Sequence, residues 1–228
     1  MGGNTIKYDG YDLRKYGPKD IDLFIDIGAN IGTVSVMARI LFPFSRIYAF
    51  EPSEKNFDML KSNTEYWSIV CHNVALGPGS PMCMIPHSQN GMYRFVDKDE
   101  SLMWPENIHQ MSESWTISHI INKCQIGVAS RYILKVDCEG GERYLLKQTD
   151  SIELIKHSIQ TNIEIHMPFG GNGKEWKKFL RIFCFSHNLY LGKWNIIQDK
   201  EIKEYVYEPC SYDEFPRRGR VTVELCRR

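Results

Sequence analysis

Apolar residues in this chain fall into two rhythms. Three short runs are almost wholly apolar: Asp22-Leu-Phe-Ile-Asp-Ile27, Arg46-Ile-Tyr-Ala-Phe50 and Tyr132-Ile-Leu-Lys-Val136. Each ends in an acidic residue close to Gly or Pro, and together they predict buried strands of a parallel sheet covered on both faces. Between them the spacing changes. Val34, Met37, Ala38 and Leu41 stand at i, i+3, i+4 and i+7, which predicts a helix that Pro43 stops. A second helix is expected over 53–63, with Ser53 at its N-cap and Phe57 and Leu60 facing inward. A third begins near Gly141. A fourth spans about 174–187, with Trp176, Phe179, Leu180 and Phe183 on its apolar face and Lys174, Lys177, Lys178 and Arg181 on its basic one. Further strands are expected at 68–76, 159–166, 189–197, 203–207 and 220–225. The pattern predicts an α/β domain with an antiparallel finish. The 77–131 stretch is too long for a plain crossover and should hold structure of its own.

Composition narrows the functions. The chain has 228 residues, 28 Lys+Arg against 28 Asp+Glu, and 43% hydrophobic residues. That fits a single domain over 1–228, with an irregular insertion at about 78–131. A balanced charge gives no chain-wide case for binding a polyanion, so nucleic acid is not the expected partner. The basic helix face and the arginines near the C-terminus read as solvated surface. The richest apolar stretch, Val36 to Phe44, is interrupted by Arg39 and Pro43 and is far shorter than a membrane span. Seven cysteines without a Cys-x-x-Cys pair argue against a disulfide framework or zinc site, so a reducing cytoplasm is expected.

The densest chemistry lies after the first strand, in Gly28-Ala-Asn-Ile-Gly32. Glycines at 28 and 32 allow a tight turn into a helix. Glu51, at the end of the next strand, is placed to accept the hydroxyls of an adenosine ribose. Two cofactors compete for such a loop. A dinucleotide site needs G-x-G-x-x-G so that a pyrophosphate can lie on the helix N-terminus. This loop lacks that spacing, and Asp26 just before it would repel a pyrophosphate while accepting a hydrogen bond from an ammonium. The pattern points to S-adenosylmethionine (SAM).

At this point the sequence resembles the FkbM family of SAM-dependent methyltransferases. FIDIGANIGTVSV resembles the family's first motif, YAFEPSEKNFDMLKSN its second, and VALG (Val74 to Gly77) the turn after the third strand. ILKVDCEGGERYLL resembles the diagnostic K-x-D-x-E-G-x-E segment. The resemblance implies a class I methyltransferase fold, Rossmann-like, with seven strands and the last one antiparallel. It implies a cofactor site at Asp26, Gly28, Asn30, Gly32, Glu51, Pro52, Ala75, Asp137 and Glu139. Many relatives methylate hydroxyls of sugars or natural products, so a small-molecule or glycan acceptor is expected. A nucleic-acid methyltransferase and a non-catalytic SAM-binding module are the alternatives, and a dehydrogenase a weaker one.

For the acceptor side, Glu164 and His166 alternate along the 159–166 strand, opposite Ile163 and Ile165. His166 is the expected base, since an unperturbed imidazole titrates near neutral pH. Glu164 is its neighbour or a substrate ligand, and Asp137 orients SAM and acceptor. Glu139 has an alternative use as a cap for the following helix. Lys135 is explained as well by an interior ion pair as by chemistry. A magnesium site from Asp137, Glu164 and His166 is conceivable, but the spacing does not call for one, and no metal is expected.

Overall fold

The computed structural model describes residues 10–86, 93–97, 110–127, 129–167, 173–196, 203–211, 215–216 and 220–228. Its centre is β1 (Leu23–Ile27), paired in parallel with β2 (Arg46–Phe50) on one side and β9 (Tyr132–Val136) on the other. All five residues of β1 and of β9 are buried, which is why their sequences read as near-continuous apolar runs. Their side chains still alternate. Leu23, Ile25 and Ile27 enter the larger core with Leu134 and Val136, while Phe24 packs with Ile47 and Ile133 on the opposite face.

That opposite face carries α1 (Thr33–Leu41) and α2 (Glu54–Thr64). The larger core is closed by α3 (Ile117–Cys124), α4 (Arg143–Lys147), α5 (Asp150–His157) and α6 (Gly173–Leu180). The predicted stripe on α1 is only half realised. Ala38 is fully buried, but Val34, Met37 and Leu41 are intermediate and face a groove with Tyr11 and Ile40.

The sheet extends outward through β3 (Val70–His72) on one side. On the other come β10 (Gln160–His166), then β13 (Arg220–Arg227), β11 (His187–Ile196) and β12 (Lys203–Pro209). The final strand, β13, runs antiparallel between β10 and β11. Eight strands replace the expected seven because β12 adds to the edge through β11.

Two expected elements are cut short. The 68–76 strand breaks after β3 because the Asn73 side chain donates to the carbonyls of Glu51 and Pro52. The chain then re-enters as β4 (Ala75–Leu76) in a separate pair with β8 (Ser114–Trp115). The fourth helix ends at Leu180 and continues as one 3₁₀ turn, Arg181–Phe183, because His187 already belongs to β11. Its stripe survives: Trp176, Phe179, Leu180 and Phe183 are all buried, since a 3₁₀ turn keeps the i+3 step. Within 78–131, β5 (Met82–Pro86), β6 (Tyr93–Asp97) and β7 (Gln110–Ser112) form a small antiparallel sheet, followed by β8 and α3. All seven cysteines are free. Among the described residues, no helix is long and apolar enough to cross a membrane.

Candidate active site

The C-terminal ends of β1, β2, β9 and β10 converge on one edge of the sheet. The loop after β1 is pinned first. The N–H groups of Gly28 and Ala29 both donate to the Phe50 carbonyl at 2.9 Å. Gly28 has φ 81°, and a Cβ there would lie 1.8 Å from the Asp137 carbonyl oxygen. Only glycine permits the loops after β1 and β9 to come this close. Asn30 also has positive φ, and Gly32, at φ 91°, precedes α1.

Glu51 holds this loop from the next strand. Its Oε2 accepts from the Asn30 N–H at 2.9 Å and its Oε1 from the Ser53 N–H at 3.0 Å. Burial raises its pKa, and those two donors and Lys135 pull it back only in part. Ser53 does stand at the N-cap of α2, but its side chain makes no capping bond. The Asn56 side chain is a third donor to this carboxylate, which leaves one of its roughly four acceptor positions for a ligand hydroxyl. Beside it, Ile27, Gly28, Pro52, Ala75, Cys138 and Gly141 line a narrow apolar cavity. The buried Glu51 carboxylate beside the glycine loop fits the ribose of an adenosine; the apolar cavity, at about 10 Å³, would have to open to admit a ring.

Asp26 lies deeper than the loop. It is fully buried, and its oxygens already face protein donors: Ser35 Oγ donates to Oδ2 at 2.6 Å, and Lys135 Nζ lies 3.0 Å from Oδ1. The carboxylate thus lies inside the protein beneath the loop, with Oδ1 making an ion pair but accepting no hydrogen bond. Lys135 also donates to the Gly28 carbonyl at 2.6 Å. Burial alone would lower the Lys135 pKa, but the charges of Asp26 and Asp137 outweigh it and raise the net value. The interior ion pair considered from sequence is thus present.

On the β9–β10 side, Asp137, Glu139 and His166 come together, with one ligand-type atom from each within 4.8 Å of the others. Glu164 is adjacent, its Oε1 3.7 Å from His166 Nε2. Glu139 has φ 47° and turns its carboxylate to within 3.4 Å of the same Nε2. It does not cap α4, whose N-cap position is Glu142.

Sequence reasoning gave Glu142 no role, yet it organises the cluster. It is fully buried; its Oε2 accepts from the Gly140 N–H at 2.7 Å. Its Oε1 accepts from the His166 N–H at 2.6 Å and lies 3.1 Å from His166 Nδ1. Its position as the last acid of K-x-D-x-E-G-x-E was the available signal. Tyr11 was also missed: its hydroxyl donates to Asp137 Oδ2 at 3.2 Å, and its ring lies against Lys135.

The environment of His166 bears on its expected role. Burial alone lowers the ring's pKa. The hydrogen bond and charge of Glu142, then the charges of Glu139 and Asp137, outweigh it, and the net shift is upward. More of the rings therefore carry a proton near neutral pH, and a protonated ring cannot accept another.

The strand order, the glycine loop between β1 and α1 and the acid ending β2 define a class I methyltransferase fold. Residues 26–191 match the methyltransferase FkbM domain, and the chain belongs to that family of SAM-dependent methyltransferases. No curated protein matches the sequence. Among solved structures it is similar to the FkbM methyltransferase from Methylobacillus flagellatus KT, at 14% identity and TM-score 0.49, over 90% of this chain and 44% of that one. It is also similar to the precorrin-6y C5,15-methyltransferase from Geobacter metallireducens GS-15, at 10% identity and TM-score 0.42, covering 93% and 84% of the two chains. A third is the N-terminal domain of human METTL16 in complex with SAH, at 13% identity and TM-score 0.39, covering 90% and 61%. The chain spans less than half the length of the Methylobacillus protein.

Proposed function

We propose that this chain transfers a methyl group from SAM to a hydroxyl of a sugar, glycan or small natural product. The observation that carries this reading is the acid–imidazole cluster of Asp137, Glu139, Glu164 and His166 set directly against the glycine loop. SAM, when bound, supplies a methyl group on a positively charged sulfur. Glu51 would hold the ribose, with Gly28, Asn30, Gly32, Pro52 and Ala75 shaping the adenosine side. Asp137, at the junction of the two halves, would orient both substrates.

Carboxylates suit this acceptor class. Each accepts hydrogen bonds from hydroxyls, and grouped acids disfavour the phosphates of a nucleic acid. A carboxylate beside a sulfonium favours binding more than rate, because methyl transfer removes the positive charge. Rate then depends on in-line positioning of the acceptor and on removal of its proton. His166 was the residue expected to take that proton. Its acidic surroundings make the ring better suited to holding a partner in place.

The test is transfer of labelled methyl from SAM to fractionated cell extract. The reading expects label in a nuclease-resistant product with the hydrolytic stability of an ether. Label confined to nuclease-sensitive material supports the nucleic-acid alternative. SAM affinity with no labelled product supports a binding module.

A further inference from the structure

We infer that Asp137, Glu139 and His166 form a binding site for one divalent cation, with Glu164 beside it. The ring of His166 carries the argument. Its side chain is nine-tenths buried, and Nε2 has no hydrogen-bond partner. Its nearest charged neighbours, the Glu139 and Glu164 carboxylates at 3.4 and 3.7 Å, stand beyond good hydrogen-bond distance. The other nitrogen, Nδ1, is held by Glu142 at 3.1 Å, and Glu142 is itself fixed by the N–H groups of Gly140 and His166. With Nδ1–H donated to that carboxylate, Nε2 points between Glu139 and Glu164, and an ion that displaces its proton would take the nitrogen lone pair there. Metal-bound histidines are oriented in this way: a carboxylate holds one nitrogen and the other faces the ion.

Charge agrees with the geometry. Asp137, Glu139, Glu142 and Glu164 surround the ring. Lys135 lies 3.9 Å from Asp137 but only 3.0 Å from Asp26. First-row divalent ions take such nitrogen and oxygen ligands at roughly 2.0–2.2 Å, so opposed ligands stand about 4.2 Å apart, and atoms already within 4.8 Å close on an ion by small side-chain shifts. One imidazole with two or three carboxylates fits Mn²⁺ or Zn²⁺ better than an ion seeking oxygen alone.

A use for the ion rests on the methyltransferase reading. Positive charge beside an acceptor hydroxyl lowers its pKa. The proton passes to water, the oxygen's electron pair forms the new O–C bond, the C–S bond breaks, and sulfur leaves as a neutral thioether. An ion with open positions would favour acceptors with two neighbouring oxygens, such as a vicinal diol.

The experiment is titration of the intact chain with Mn²⁺ alone, followed by the EPR signal of the free ion, with Zn²⁺ as competitor. One Mn²⁺ per chain is expected. His166→Ala and Glu139→Gln should each weaken it at least tenfold, and Glu142→Gln about 10–100-fold by releasing the ring. Glu153→Gln, an exposed change on α5, should leave it unchanged. Glu139 is only partly buried, so its variant should fold, as near-UV circular dichroism would verify. Failure of the wild-type chain to bind either ion below millimolar concentration would overturn the inference, as would wild-type affinity in folded His166→Ala or Glu139→Gln. No SAM is present, so failure of the methyltransferase reading would not alter the result.

Discussion

Lys135 and Asp26 are direct partners across the seam between β9 and β1, with Nζ 3.0 Å from Oδ1 and neither side chain exposed to solvent beyond a trace. The pair binds the two central strands just below the loops that form the site. Removing one charge would leave the other buried and uncompensated. Lys135→Met is therefore expected to cost about 3–5 kcal/mol of stability. Urea denaturation checks this, and Asp26→Asn combined with Lys135→Met should recover much of the loss.

Gly28 is where the backbone tolerates no side chain. Gly28→Ala would force a Cβ into the Asp137 carbonyl at a positive φ. The loops after β1 and β9 would have to part. The expected result is a lower thermal midpoint together with loss of affinity for S-adenosylhomocysteine, the demethylated product. A variant with normal melting and normal affinity would show that these loops need not touch.

Glu51 has two duties, and one variant removes both. Glu51→Ala should weaken S-adenosylhomocysteine binding by about 1.5–3 kcal/mol, the range for hydrogen bonds to a charged group, or roughly 10–150-fold. It should also loosen the loop, because Asn30 and Ser53 each lose an acceptor. Unchanged affinity in a folded variant would place the ribose elsewhere.

Two histidines far from the His166 cluster set an acid limit on stability. Burial lowers the pKa of His187, and burial with the nearby Lys123 charge lowers that of His72. Above the unfolded value, near 6.5, both states are neutral and neither group contributes. As pH falls through that value, the unfolded chain takes protons that the folded one resists, so stability declines toward acid. Histidine NMR should show both rings titrating below 6.5 in the folded protein.

The three central strands were legible because strands buried on both faces carry little but apolar residues, and those runs matched the structure closely. The glycine loop and Glu51 were legible because their chemistry is local. The helix over 150–157 was overlooked although Ser151, Leu154 and Ile155 have helical spacing and Asp150 lies in its first turn. The Glu142–His166 contact was not readable, because its partners lie on different elements and only the sheet brings them together. The depth of Asp26 was not readable for a related reason: sequence shows an acid before the loop, but not that Lys135 faces it from the adjacent strand.

The edge formed by Gly28, Glu51 and Asp137 is the SAM site proposed above. Calorimetry of the intact chain with S-adenosylhomocysteine, and separately with NAD, tests it most directly. The account predicts saturable one-to-one binding of S-adenosylhomocysteine and none of NAD. Tight binding of NAD with no response to S-adenosylhomocysteine would contradict it.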